Sequence, residues 1–209
     1  MLDAVAASVN DINDRHMNAS LAGRLDNPER LLWIPPAMVI GALAIHPGDA
    51  IADIGAGTGF FSLPLAKAAG SPGLVFAVDC QAEMLRHLQF KLDTGSISNI
   101  RVINTAADST GLPSESCDLV FMANVWHEFA DRPAVLREAR RILNARGRIA
   151  VLDWRPDAEP HPGPPLHHRI SASDALEDMQ SAGFTGVKQS NVGIYSWMVQ
   201  GLMQEEIEL

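Results

Sequence analysis

Residues 50–59 read Ala50-Ile51-Ala52-Asp53-Ile54-Gly55-Ala56-Gly57-Thr58-Gly59. The first half is a short run of mostly apolar residues, which is typical of a buried parallel strand. The second half has glycine at every other position and leads into a segment of helical period. A strand, a glycine turn and a helix in this order predict a nucleotide-binding unit, because glycines let the backbone turn tightly and let a ligand approach closely.

The spacing of these glycines narrows the choice of ligand. A dinucleotide site has the pattern G-x-G-x-x-G, so that pyrophosphate can lie at the helix N-terminus. This chain has G-x-G-x-G, with Asp53 two residues before Gly55. A carboxylate there would repel pyrophosphate and could anchor an ammonium group. The pattern therefore predicts a nucleoside with a cationic amino-acid tail, and it disfavours an NAD-dependent oxidoreductase.

A second acid supports a nucleoside ligand. Asp79 ends the next predicted strand, 24 residues after Gly55, where a carboxylate can accept hydrogen bonds from both ribose hydroxyls. An isolated aspartate at a strand end is more often a helix cap, so this interpretation depends on the glycine turn beside it.

From Ala50 onward, short apolar runs alternate with amphipathic segments. This predicts an α/β fold with a Rossmann-like, seven-stranded, mostly parallel sheet, helices on both faces and a terminal antiparallel hairpin. The predicted strands are Ala50–Ile54, Leu74–Val78, Ile100–Asn104, Leu119–Ala123, Arg148–Asp153, Val187–Asn191 and Ile194–Val199. Two predicted helices are Phe60–Ala69 and Ala82–Leu92. A third begins at Asp131 and Pro133, continues through Leu143 and ends at Gly147. A fourth begins with a Ser171/Asp174 capping box and ends at Gly183.

Two segments fall outside this alternation. Residues 1–46 are expected to form an N-terminal helical cap on the domain of residues 47–209, with Asn27-Pro28 as a helix start. In this cap, Arg15, His16, Arg24 and Trp33 either close over the ligand or simply pack. Residues 155–169 leave a strand end and are rich in proline and histidine, which is typical of a binding loop or lid. Histidines without acidic or cysteine neighbours at a fixed spacing usually face solvent, so no metal site is predicted from His161, His167 and His168.

As a set, these motifs resemble the class I S-adenosylmethionine-dependent methyltransferases, specifically the ubiquinone/menaquinone-biosynthesis-like group called methyltransferase type 11. The resemblance runs from Asp49 to Asp153. It implies S-adenosylmethionine as cofactor, S-adenosylhomocysteine as product and in-line transfer of a methyl group to an acceptor. The residues that it implies around the cofactor are Asp53, Gly55, Ala56, Gly57, Thr58, Gly59, Asp79, Cys80, Met84, Ala107, Asp108, Ser109, Asn124 and Val125.

The resemblance also implies which part of the cofactor each motif holds. Residues 53–59 match the family's first motif, and Asp79 matches its ribose-binding acid. Residues 106–108 resemble the adenine segment, in which Asp108 would accept from the exocyclic amine and the amide of Ala107 or Ser109 would meet a ring nitrogen. Residues 118–128 resemble the fourth motif, whose strand end lies beside the methionine moiety.

Methyl transfer from a sulfonium uses an activated donor, so the protein mainly supplies proximity, alignment and exclusion of water. A general base is needed only if the acceptor must lose a proton. His127, Glu128 and Asp153 follow predicted strands and are the catalytic candidates. The alternatives stay open: His127 caps or packs at a helix start, and Asp153 bonds to loop amides.

A narrower resemblance connects the chain with small bacterial and archaeal methyltransferases that identify no substrate. It rests on residues 24–30, 153–155 and 163–165. Arsenite methyltransferases depend on several cysteines, whereas this chain has only Cys80 and Cys117, which are predicted to be small buried hydrophobic side chains.

The composition excludes several classes. The chain has 209 residues and a formal net charge of −9, which disfavours nucleic acid as a partner. No apolar run reaches the roughly 20 residues of a membrane helix, and the first residues do not resemble a signal peptide. These features predict a cytoplasmic monomer or homodimer acting on a small-molecule acceptor. The alternative is a regulatory protein that binds S-adenosylmethionine without catalysis.

Overall fold

The computed structural model describes Met17, residues 22–158 and residues 162–204. In these residues, the short helices α1 (Ala22–Leu25), α2 (Arg30–Trp33) and α3 (Pro36–Ala42) come first. The strands are β1 (Ala50–Ile54), β2 (Leu74–Asp79), β3 (Ile100–Asn104), β4 (Cys117–Ala123), β5 (Leu143–Trp154), β6 (Thr185–Val192) and β7 (Ser196–Leu202). The helices between them are α4 (Ser62–Ala69), α5 (Ala82–Thr94), α6 (Arg132–Ile142) and α7 (Ala172–Ser181).

These strands form a seven-stranded sheet in the order β3-β2-β1-β4-β5-β7-β6. Strands β1 to β5 pair in parallel, and β7 runs antiparallel to both β5 and β6. The predicted Rossmann-like sheet with a terminal antiparallel hairpin is therefore confirmed. Because β2 lies on one side of β1 and β4 on the other, the strand order switches here, and the carboxyl ends of β1 and β4 flank the crevice where open α/β sheets bind ligands.

Helices cover both faces of the sheet, as the alternation along each strand requires. Ile51, Leu119 and Leu152 are buried on one face with residues of α3 and α4. Ala52 and Val120, their neighbours in sequence, are buried on the opposite face with residues of α6 and α7. The central strands are thus apolar on both sides, which explains their nearly continuous hydrophobic runs.

The strand boundaries differ from the predicted ones most clearly at β5 and β7. Leu143 begins β5 instead of extending α6, so Gly147 lies within the strand and does not end the helix. Leu143 pairs with Cys117 at the start of β4, and both are buried, so strand pairing overrides the helical period at this position. The terminal hairpin has a longer turn than predicted, because β7 begins at Ser196 and leaves Ile194 in the turn.

The predicted helix starts are mostly correct. Asp131 caps α6, and Ser171 forms a capping box with Asp174 at α7. Asn27 accepts a hydrogen bond from the amide of Glu29, but α2 begins only at Arg30, after the predicted start at Asn27-Pro28.

Candidate functional site

A cavity of about 900 Å³ lies at the carboxyl ends of β1, β2, β4 and β5. The glycine turn after β1, the end of β2 and the residues after β4 form its floor. Helices α1 and α2 of the cap and part of the segment 155–169 form its other walls. Elements that are distant in sequence therefore meet at the sheet edge where the strand order switches.

The glycine turn needs glycine for backbone conformation and for packing. Gly55 has a φ of 77°, and a Cβ there would lie 2.7 Å from Cγ2 of Val125. Gly59 has a φ of 83° and packs against Leu88 of α5, away from the cavity lining. Gly55, Ala56, Gly57 and Thr58 line the cavity. The turn is thus held between α5 and Val125, the second residue after β4.

Asp53, at the end of β1, lines the cavity although only 2% of it is exposed. Ser62 Oγ donates a hydrogen bond of 2.5 Å to Asp53 Oδ2. Burial raises the pKa of Asp53 to about 7; the charge of Asp79 adds to this, and the Ser62 hydrogen bond and Arg30 oppose it. A carboxyl group that titrates near neutrality therefore lies beside the glycine turn.

Asp79, at the end of β2, holds the glycine turn in place. Its Oδ2 accepts a hydrogen bond of 2.8 Å from the amide of Gly57, and its Oδ1 accepts one of 2.8 Å from the amide of Gln81. Gln81 and the buried Met84 line the cavity beside it. The second acid named from the sequence therefore lies at the same site as the first.

Asn124, the first residue after β4, brings an unsatisfied amide to the cavity. Its backbone has a φ of 57°, and its backbone N–H donates a hydrogen bond of 2.7 Å to the carbonyl oxygen of Leu152. Its side-chain Nδ2 and Oδ1 are buried and have no hydrogen-bond partner. A buried, unpaired amide costs about 1–3 kcal/mol for each group, so a ligand with a donor and an acceptor would stabilise this side chain.

His127 and Asp153, 26 residues apart, form a buried pair at the wall of the cavity. His127 Nδ1 lies 2.9 Å from both carboxylate oxygens of Asp153, and the His127 amide donates to Asp153 Oδ2 at 2.9 Å. The side chains are only 5% and 1% exposed. Because a carboxylate only accepts hydrogen bonds, Nδ1 carries the proton. Nε2 then faces Glu128 Oε1 at 3.9 Å.

Burial alone would lower the pKa of His127. The charge of Asp153, the hydrogen bond to it and the charge of Glu128 outweigh burial and Arg169, so the pKa of His127 lies above its usual value. The three catalytic candidates named from the sequence thus lie together. Asp153 also accepts a hydrogen bond from the amide of Trp154 at 2.7 Å, so it does bind backbone amides, and its catalytic role stays a prediction.

The cap contacts the glycine turn through charged side chains. Asp26 Oδ1 accepts hydrogen bonds from Thr58 Oγ1 at 2.7 Å and from Lys91 Nζ at 2.6 Å. Arg30 is 8% exposed and lies 4.1 Å above the ring of Phe60; burial lowers its pKa to about 10, with Asp26 and Asp53 opposing the shift. Arg24 and Trp33 line the cavity. Arg15 and His16 lie outside the described residues.

The segment 155–169 is held against the cavity by Arg169. This side chain is 6% exposed and donates to the carbonyl oxygens of Pro164, Arg155 and Pro162 at 2.9–3.0 Å. Its guanidinium lies 5.9 Å from the ring centre of Trp154. Residues 162–165, His167 and His168 line the cavity; His161 lies outside the described residues. Within the described part of the chain, no three metal-binding side chains form a group that could hold an ion.

Several residues named from the sequence do not line this cavity. Ala107, Asp108 and Ser109 follow β3 at the same sheet edge but lie beyond the cavity lining, so their contact with adenine stays a prediction. Cys80 is also outside the lining and is exposed, which makes its interpretation as a buried hydrophobic side chain wrong; Cys117 is buried as expected. Cys80 directly follows the last residue of β2, where the chain leaves the sheet.

Sequence reasoning missed other parts of the site. It did not name Ser62, which binds Asp53, or Arg169, which holds the segment 155–169. The signal for Trp154 was present, since Asp153-Trp154 belongs to the narrower resemblance. Ser62 and Arg169 carry no local pattern that distinguishes them from other helix and loop residues.

Comparison with known proteins agrees with this geometry. Residues 52–151 match the model of a methyltransferase domain family. A solved structure of an S-adenosylmethionine-dependent methyltransferase from Aquifex aeolicus has a TM-score of 0.86 at 27% identity, covering 90% of this chain and all of that one.

Two relatives are named ubiquinone/menaquinone biosynthesis C-methyltransferase. The one from Vibrio parahaemolyticus is 29% identical over 62% of this chain and 50% of its own length. The one from Xanthomonas oryzae is 31% identical over 53% of this chain and 44% of its own length. The chain thus spans about half the length of these relatives.

None of the helices in the described residues is long and apolar enough to cross a membrane. The matched domain covers β1 through most of β5, and these strands carry the glycine turn, Asp79 and the residues around His127. The chain thus carries a methyltransferase domain at residues 52–151, and its fold and relatives support an S-adenosylmethionine-dependent methyltransferase.

Proposed function

We propose that this chain transfers the methyl group of S-adenosylmethionine to a small organic acceptor that gives up a proton. The observation that carries this proposal is His127, which lines the same cavity as the acid-flanked glycine turn and is held by the buried Asp153 behind it. A base that is oriented by a carboxylate suits removal of a proton.

The donor groups of the cavity fit the cofactor that the family implies. S-adenosylmethionine supplies a methyl group on a positively charged sulfur. We assign its ribose to Asp79, because a carboxylate accepts up to about four hydrogen bonds. We assign its charged amino-acid tail to Asp53 and Asn124, since a carboxyl group and an unsatisfied amide complement an ammonium and a carboxylate. The glycine turn lets the nucleoside approach the backbone.

The protein's own contribution is alignment and proton transfer. Asp153 holds the His127 proton on Nδ1, which leaves Nε2 as the atom that accepts the proton of the acceptor. Glu128 lies on the Nε2 side. Helices α1 and α2 and residues 162–165 line the cavity and reduce its contact with water, which favours methyl transfer over hydrolysis.

The acceptor pocket favours a small organic molecule. Trp33, Phe60, Trp154 and Pro164 give the cavity apolar walls, and its volume of about 900 Å³ lies in the range of small-molecule sites. The net charge of −9 disfavours nucleic acid. The names of the relatives do not identify the acceptor of this chain, because the chain spans only about half of their length.

The test is transfer of labelled methyl from S-adenosylmethionine to a panel of small phenols, thiols and amines. The wild type and His46→Gln, whose side chain is 71% exposed, are expected to methylate at least one class equally. His127→Gln is expected to do so about 10²–10⁴-fold more slowly. Binding of S-adenosylmethionine without transfer to any class would favour a regulatory protein. Equal rates in His127→Gln would exclude His127 as the base.

A further inference from the structure

His127 lies between two carboxylates at the wall of the cavity. Asp153 of β5 holds Nδ1 at 2.9 Å, and Glu128 of the same turn lies 3.9 Å from Nε2. Arg169, from the segment that packs over β5, is the cation that acts on the imidazole and opposes these charges. With a protonated imidazole, the group His127, Asp153 and Glu128 carries a net charge of −1. With a neutral imidazole, it carries −2.

The same cavity is built to receive a cation. Across from His127, Asp53 and Asp79 lie at the ends of β1 and β2 and line the cavity with the glycine turn. A cation in the cavity is attracted more strongly by a net charge of −2 than by −1, and it therefore favours the neutral imidazole. A neutral ligand of the same shape has no such preference.

We infer that the charge of the cofactor shifts the protonation equilibrium of His127, so that the neutral base is favoured while the methyl group is still on sulfur. This inference rests on the proposed function and extends it. With the sulfonium in the cavity, His127 is neutral at Nε2 and can accept a proton. After transfer, the cofactor is a neutral thioether, and His127 holds the proton.

The charges and bonds of this step balance. A bond forms between the acceptor atom and the methyl carbon, and the sulfur–methyl bond breaks with its electron pair left on sulfur. The proton of the acceptor moves to His127 Nε2. One positive charge is lost at sulfur and one appears on the imidazole, so the buried site keeps the same total charge throughout. Low-dielectric surroundings make that constancy favourable, because an uncompensated buried charge is costly.

The size of the effect follows from the size of the cavity. A round cavity of about 900 Å³ is about 12 Å across, and two unit charges at that separation interact by about one pKa unit at an effective dielectric constant of about 20. Shorter separations give larger shifts. The pKa of His127 is therefore expected to be at least about one unit lower with S-adenosylmethionine bound than with S-adenosylhomocysteine bound.

The test is a pH titration of the histidine ring protons by NMR in the two complexes, without acceptor. His127→Gln identifies the signal of His127, and His46, which lies before β1 at the opposite edge of the sheet, is the matched reference. The pKa of His127 is expected to differ by about one unit or more between the complexes, and the ring signals of His46 to coincide in the two complexes at each pH. Equal pKa values of His127 in both complexes would overturn the inference.

A binding measurement checks the same inference independently. Across the titration of His127, S-adenosylmethionine is expected to gain about tenfold in affinity relative to S-adenosylhomocysteine as the pH rises. Asp53 also titrates near neutrality and lines the same cavity, so the ratio is measured in Asp53→Asn as well as in the wild type. The ratio is expected to change with pH in Asp53→Asn and to be independent of pH in the double variant Asp53→Asn/His127→Gln; a ratio that still changes with pH in the double variant would assign the effect to another group. Failure of the wild type to bind either ligand would contradict the proposed function itself, and the inference would fall with it.

Discussion

Replacing Asp53 by asparagine is expected to stabilise the free protein while weakening its binding of S-adenosylhomocysteine. Asp53 is a buried carboxyl group at the end of β1, and an asparagine side chain in its place would stay neutral at every pH. The amide oxygen of that side chain would still accept the hydrogen bond from Ser62. A residue that costs stability and serves the ligand is typical of a binding site.

The magnitude follows from the pKa of Asp53. Burial raises this pKa from 3.8 to about 7 in the folded protein. The neutral carboxyl therefore stabilises the fold below about pH 4, and this contribution is lost as the pH rises through about 7. About three pKa units correspond to about 4 kcal/mol. Asp53→Asn is thus expected to be up to about 4 kcal/mol more stable than the wild type at pH 8, and about 1 kcal/mol at about pH 4.5.

The assay is urea unfolding of both proteins at several pH values between about 4.5 and 8, with the slope m checked for two-state behaviour. Asp49→Asn is the matched control, because Asp49 accepts from Arg148 at 2.7 Å at the other end of β1. Loss of this ion pair is expected to destabilise the protein by about 1–3 kcal/mol. An Asp53→Asn variant that is less stable than the wild type at pH 8, or a difference that does not change with pH, would contradict the raised pKa of Asp53.

Two further substitutions test how the walls of the cavity are built. Gly55→Ala is expected to lower the free energy of unfolding by urea by about 2–5 kcal/mol, because the backbone at this position has a φ of 77° and the new Cβ would meet Val125. Gly23→Ala, which has open space around it, should leave the free energy of unfolding unchanged. Equal stability of the two variants would contradict this packing. Arg169→Lys is expected to lose about 2 kcal/mol or more and to expose residues 155–169 to limited proteolysis, because an ammonium cannot reach the three carbonyl oxygens that the guanidinium binds. Unchanged cleavage would show that other contacts hold the segment.

The local features of the site could be predicted because they have local causes. The glycine turn and Asp79 stand at strand ends that hydrophobic runs reveal, and Ser171 with Asp174 forms a cap within one helical turn. The switch in strand order between β1 and β4 has no such local signal. No strand order was therefore predicted.

Features that depend on long-range contacts were missed or misplaced. Leu143 continues the apolar stripe of α6, so only its pairing with Cys117 reveals a strand. His127 and Asp153 could be named singly as residues at strand ends, but their pairing depends on the neighbouring positions of β4 and β5. Arg169 acts through three carbonyl oxygens, and backbone acceptors leave no trace in the sequence.

Calorimetry of S-adenosylhomocysteine binding to the wild type and to Asp79→Ala tests the cofactor site itself. We expect binding in the micromolar range for the wild type and a loss of about 1–3 kcal/mol in the variant, because a hydrogen-bond partner of the ribose disappears. A wild type that binds no S-adenosylhomocysteine would contradict the assignment of this cavity to the cofactor, and the glycine turn would then serve another ligand.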